Sequence, residues 1–182
     1  MEATRETAVQ LLDAFGVPRA ASMRSIRRRV REVTDLDVTY RQRDGLQHED
    51  THGLTSGWDN GTAEISYPPA PSGTQFVIIN HEHGHLFLFA HERLEEQPLE
   101  NKRQAFVRSK VDGIMPGSRL FVPGTTVEQE FEPQLVFEYG RSDFTEDEER
   151  LAELIGVELS VRVMRHERAR GRDVQFGRVF GG

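Results

Sequence analysis

The run Phe76–Glu92, "FVIINHEHGHLFLFAHE", constrains the fold more than any other part of the chain. It is long and apolar, yet Asn80 to His85 packs three of the chain's seven histidines and one glutamate into six residues. The length and period predict a helix from Thr74 to about Glu96, although "FVII" alone would also pass as a strand. On a helix, residues four apart lie about 40° from one another, so His81 and His85 share a face. Ile78, Leu88 and Phe89 fall on that same face, which predicts that it is buried. Two imidazoles on a buried face need partners for their ring nitrogens. The partner is either a metal ion or a set of ordinary hydrogen bonds to backbone and carboxylates.

The spacing H-E-x-x-H favours the ion. His81 and His85 can aim ring nitrogens at one point, which suits tetrahedral zinc with a fourth position left for water. Glu82 sits about 100° round from His81, at the edge of the face, where a general base can reach that water without ligating. His83 projects about 200° from His81, away from the ion, as a surface or second-layer histidine.

A third protein ligand has to come from elsewhere in the chain. "TEDEERLAELIGVELS" opens with Thr145 and Glu148, the pair of a capping box, and predicts a helix from Thr145 to about Met164. Its acidic residues are Glu146, Asp147, Glu148, Glu149, Glu153 and Glu158. Ala152, Gly156 and Ser160 share the face of Glu149, so that side can approach another helix closely. Glu153 lies about 40° from Glu149 and competes with it for the role. Glu158 falls on the opposite side as a buried or rim carboxylate.

The rest of the chain reads as a frame for these two helices. "TRETAVQLLDAF" predicts a first helix closed by Gly16 and Pro18, and "SMRSIRRRVREVT" a second, capped by Ser22. "LDVTYRQ" and "TAEISYP" alternate as half-buried strands, with polar, glycine-containing sequence between them up to Gly61. Residues 97–139 read as an insertion: a helix over Asn101 to Val111, then irregular chain around Pro116, Pro123 and Pro133. The tail 167–182 is expected to be loosely ordered. Together these predict one α+β domain over 1–182, a small sheet packed on helices, with helices over 1–35 and the H-E-x-x-H helix at the centre.

Composition excludes several functions. There is no cysteine, hence no disulfide, thiol catalysis or thiolate metal site, and a reducing cytoplasm fits. A net charge of −7 argues against nucleic acid as the main partner, because phosphate binding needs a basic field. The basic cluster Arg24–Arg31 reads as the solvated face of a helix. No apolar run approaches the ~20 residues that span a bilayer, and no membrane partner is expected.

"VIINHEHGHLFLFAHE" and "FTEDEERLAELIGVEL" resemble the active-site helix and the second metal-site helix of the ImmA/IrrE family of metallopeptidases, including actinobacterial and phage relatives. The likeness covers most of Leu36 to Met164, with specific residues on those two helices only. By that resemblance His81 and His85 are zinc ligands and Glu82 is the catalytic glutamate. Glu149 matches the glutamate of the family's E-x-x-A pattern, which selects it over Glu153. Two features depart from the family: Leu151 stands where many relatives carry a further glutamate, and the interval from His85 to Glu149 is longer than in the shorter relatives. No helix-turn-helix regulatory domain is evident.

The resemblance implies a zincin-like fold and a zinc-dependent endopeptidase, with Zn2+ as cofactor and a helix-turn-helix, DNA-binding repressor as protein substrate, cleaved to relieve repression in a phage or mobile element. The alternative is a non-catalytic metal-binding regulator that works by protein–protein binding. Tyr139, His91 and His166 are the candidates for stabilising an oxyanion.

Overall fold

Thr4 begins the first helix: its hydroxyl accepts from the Thr7 N–H at 3.1 Å, and α1 runs Arg5–Ala14. Gly16, at φ 69°, turns the chain out of it. Ser22 caps α2, Met23–Thr34, in the same way, and Asp35 in the left-handed region closes it with an N–H bond to the Arg31 carbonyl. Met23, Ile26, Val30 and Thr34 are buried, whereas Arg24, Arg28 and Arg31 face solvent, so the basic cluster is a solvated helix face as its spacing predicts. The computed structural model describes residues 3–46, 53–95, 133–139 and 144–171.

The fold is α+β, with four helices and one four-stranded sheet among the described residues. The strands are β1 (Asp37–Gln42), β2 (Leu54–Trp58), β3 (Thr62–Tyr67) and β4 (Leu135–Tyr139), in spatial order β1-β3-β2-β4. β1 pairs with β3 in parallel, with Val38 opposite Ala63, and the other two pairings are antiparallel. Against the sheet lies α3, Ser72–Glu95, which confirms a helix for "FVII". The last helix, α4, runs Glu146–Ala169 behind Thr145 with both halves of the capping box formed. α3 packs against α4, α2 and β3, which makes it the central element. No helix among the described residues is long and apolar enough to cross a membrane.

Two strands escape the sequence patterns. β2, "LTSGW", lies in the segment read as polar connection, and β4 lies within the stretch read as irregular chain. β2 has no apolar alternation because its neighbours demand small or polar side chains. A Cβ at Gly57 would sit 2.2 Å from the Phe137 ring on β4, so only glycine leaves that ring its space. The 101–111 helix and the rest of the insertion up to residue 132 lie outside the described residues. α4 continues through Ala169, into the tail expected from 167; residues beyond 171 lie outside the described residues.

α3 and α4 run antiparallel and unusually close. A Cβ on Gly84 would lie 2.5 Å from the Ala152 carbonyl oxygen, and one on Gly156 would lie 2.8 Å from the His81 Cα. Backbone cannot yield as a flexible side chain can, so both glycines are required by this spacing. Buried Asn80 donates from Nδ2 to Ser160 Oγ at 3.0 Å, and Ser160 donates to the Gly156 carbonyl at 2.9 Å, which fixes the axial register of the two helices.

At the other end of α4, fully buried Arg162 ties the helix to α1. Its Nε donates to Glu158 Oε1 (3.2 Å), Nη1 to the Val17 carbonyl (2.5 Å) and Nη2 to Asp13 Oδ1 (2.7 Å). The Arg162 bond holds the Asp13 carboxyl below its usual range. A buried guanidinium is tolerated only when its donors are satisfied in this manner.

Gly84→Ala should force α3 and α4 apart and destabilise the protein by about 1–3 kcal/mol, the usual cost of overpacking. Urea unfolding measures it; an unchanged midpoint would mean the helices are not in backbone contact at Gly84.

Candidate metal centre

α3 places His81 and His85 one turn apart with both Nε2 atoms converging, 3.0 Å from each other. α4 brings Glu149 to the same point: Oε1 lies 3.3 Å from His81 Nε2 and Oε2 lies 3.4 Å from His85 Nε2. These three residues could hold a metal ion, and the described residues contain no other such group of His, Asp and Glu. One ligand atom from each residue lies within 4.8 Å of the others, close enough to meet on a single ion. The His85 side chain is 4 % exposed while His81 and Glu149 are 21 % and 17 % exposed, so the cluster opens to solvent on the His81–Glu149 side.

Glu149 gets there through helix geometry. The Thr145–Glu148 box fixes the start of α4, and Glu149 follows with its N–H bonded to the Thr145 carbonyl at 2.9 Å. The first turn of a helix favours a carboxylate, since the unpaired N–H groups there carry partial positive charge. Glu153, the competitor in sequence, is exposed and outside the cluster. Glu158 is buried on the opposite side of α4, beside Arg162, as its position predicts.

His85 is buried and oriented by its neighbours. Burial, with the neighbouring His81 adding to it, pushes its pKa down to about 3, so the ring is neutral. Metal ligation requires that neutral form. Phe144, just ahead of the α4 cap, stacks on the His85 ring with centroids 4.0 Å apart and planes 18° apart, fixing its orientation. The buried His85 Nδ1 has no hydrogen-bond partner among the described residues.

Glu82 is buried and belongs to a different contact. It accepts from Thr55 Oγ1 on β2 at 2.6 Å, and Gly53 makes room for it: a Cβ there would lie 2.3 Å from Glu82 Oε1. Burial pushes the Glu82 pKa up to about 8; the Thr55 bond works against this and the charge of Glu149 adds to it. A carboxyl poised near neutrality is suited to carrying a proton. The sequence reading contains neither Thr55 nor Gly53, because nothing marked "GLTSGW" as a strand facing α3.

His83 does point away from the triad, but it is not a surface residue. It is fully buried, with Nε2 3.0 Å from the Tyr40 hydroxyl of β1 and the two rings edge to face. The α2 side chain Arg27 lies 5.9 Å over the Tyr40 ring and pairs with Asp37 at 3.1 Å. Burial, helped by the charge of Arg27, pushes the His83 pKa down to about 3, and burial raises that of Tyr40. Along the helix axes, His91 stands roughly 9 Å past His85 and His166 roughly 25 Å past Glu149 at 1.5 Å per residue. The β2–β4 register puts Tyr139 opposite Thr55. Comparisons with protein-family models, curated proteins and solved structures give no match for this chain.

Glu149→Ala should weaken metal binding by more than about 100-fold, the upper range for losing even an outer partner of a ligand. Glu153→Ala should leave it unchanged; the reverse pattern in a competition titration would reassign the third ligand.

The buried histidines also set a pH dependence. The folded pKa of His83 is below its unfolded value of 6.5, so the unfolded chain binds more protons in between. Its contribution is intact above about pH 6.5 and is lost progressively as pH falls towards 3. Glu82, raised instead, works in the opposite direction. Comparing metal-free wild type with His83→Gln isolates the histidine: the variant should lose about 2 kcal/mol less stability between pH 7 and pH 5. Equal losses in urea titrations would show that His83 is not held neutral.

Proposed function

We propose that this chain is a zincin-like, zinc-dependent endopeptidase of the ImmA/IrrE type that cleaves a DNA-binding repressor. The observation that carries the proposal is a division of labour on α3. His81 and His85 converge with Glu149, while Glu82, between the two histidines in sequence, is bonded to Thr55 and stands outside the ligand set. A pure metal-binding module has no use for a buried carboxyl next to its ion, and burying one is costly.

Bound zinc would polarise the scissile carbonyl and acidify water. Glu82 would take the water's proton and deliver it to the leaving amine. Thr55 keeps the Glu82 carboxyl from turning into the ligand set and stabilises its charged form. Burial holds the Glu82 pKa up, and a divalent cation held by His81, His85 and Glu149 would favour its carboxylate form. The open His81–Glu149 side is where a peptide would enter. The repressor as substrate, and relief of repression as outcome, rest on the resemblance of the two helices to the family.

Glu82→Gln should keep one zinc per chain by elemental analysis and lower repressor cleavage by at least about 100-fold, the scale of general acid–base catalysis. A Glu82→Gln protein that retains full regulatory activity would favour the non-catalytic regulator.

A further inference from the structure

A cavity of about 400 Å3 lies between α1 and α4, lined by Arg5, Glu6, Val9, Arg19, Glu158, Arg162 and Arg165. It is separate from the metal centre. Glu158 stands nine residues from Glu149, about 13 Å along α4 and half a turn round it. Four guanidinium groups and two carboxylates line it, a local excess of positive charge in a chain whose net charge is −7.

The floor is built and rigid. Arg162 is fully buried and spends its donors on Glu158, Val17 and Asp13, and Glu158 is 3 % exposed. The rim is different. Arg5 comes from α1 and Arg165 from α4, and each approaches Glu158 only at ion-pair range, 3.7 Å and 3.9 Å. Those separations exceed a hydrogen bond, so Glu158 holds both guanidinium groups at the cavity without saturating them. Arg19 is anchored at the side by Asp13 at 3.0 Å. Two arginines from different helices, steered over one cavity with donors to spare, form a clamp for a tetrahedral oxyanion, which offers acceptors in several directions at once.

We propose that this α1–α4 cavity binds a phosphoryl group, carried by a small molecule or as free phosphate, between Arg5 and Arg165. Its volume falls within the range of small-ligand sites. The site is independent of metal binding and of peptidase activity.

Inorganic phosphate is the probe, titrated into the full-length protein with thermal unfolding and calorimetry as readouts and sodium chloride at matched ionic strength as control. Phosphate should raise the unfolding temperature saturably where chloride does not. The Arg5→Gln/Arg165→Gln double variant changes two exposed side chains, so it should fold and bind metal as wild type does while losing affinity for phosphate by about tenfold or more. Titrations before and after removal of metal by a chelator should agree. Three results would each overturn the proposal: no saturable effect beyond chloride, an effect that survives in the double variant, or one that needs the metal and so belongs to His81, His85 and Glu149. Acetate binding as tightly as phosphate would overturn the phosphoryl assignment.

Discussion

Backbone contact between α3 and α4 is the constraint on which the candidate metal centre depends. Glutamate is a short side chain relative to the 8–10 Å at which helices usually pack. Glu149 reaches both Nε2 atoms because Gly84 lies against Ala152 and Gly156 lies against His81. The Asn80–Ser160 bond sets how far one helix is slid along the other. A slide of one residue, about 1.5 Å, would take Glu149 out of ligand range of at least one histidine. The glycine between His83 and His85 is therefore as much part of the centre as the histidines on either side.

The sheet supplies the second half of the arrangement. Three potential ligands in five residues, His81, Glu82 and His85, would all compete for an ion if they were free to turn. β2 prevents this: Thr55 donates to Glu82 and Gly53 leaves the carboxyl a pocket. β1 does the same for His83, whose Nε2 is engaged by Tyr40. The five polar residues from Asn80 to His85 are thus shared among three elements: Asn80, His81 and His85 meet α4, Glu82 meets β2 and His83 meets β1. That is how a helix so apolar overall carries five polar side chains in six positions and still packs. The arrangement also explains the pKa values, since burial moves Glu82 up and His83 and His85 down, leaving the two histidines neutral.

Much of this was legible from residue patterns with a local cause. Helix caps at Thr4, Ser22 and Thr145 are written in three or four residues, and α1, α2, α3 and α4 begin within two residues of their expected starts. In β1 and β3 the apolar residues Val38, Ala63 and Ile65 are buried, as their alternation predicts. The i, i+4 histidines share a face by helix geometry alone. The small residues Ala152, Gly156 and Ser160 forecast that α4 would lie close to another helix.

What remained hidden depended on partners distant in sequence. Helix phase leaves Glu149 and Glu153 only about 40° apart, and the docking of α4 on Gly84 is what brings Glu149 to the two histidines and leaves Glu153 exposed. β2 could not be recognised because its composition answers to Glu82 and Phe137, residues 27 and 80 positions away from those they meet, and not to solvent. His83 is left open between a surface and a second-layer position because helical phase gives direction without saying what stands there; Tyr40 and Arg27 do. Arg162 reads in sequence as one more charge on a charged helix, yet it is buried and bonded to Asp13 of α1, 149 residues away. The sequence determined the helices, their caps and the two histidines that face one way, since each follows from neighbours within a turn or two. Tertiary structure decided which carboxylate completes the triad and which is kept out of it, because both choices are made by contacts that exist only once the helices and the sheet have packed.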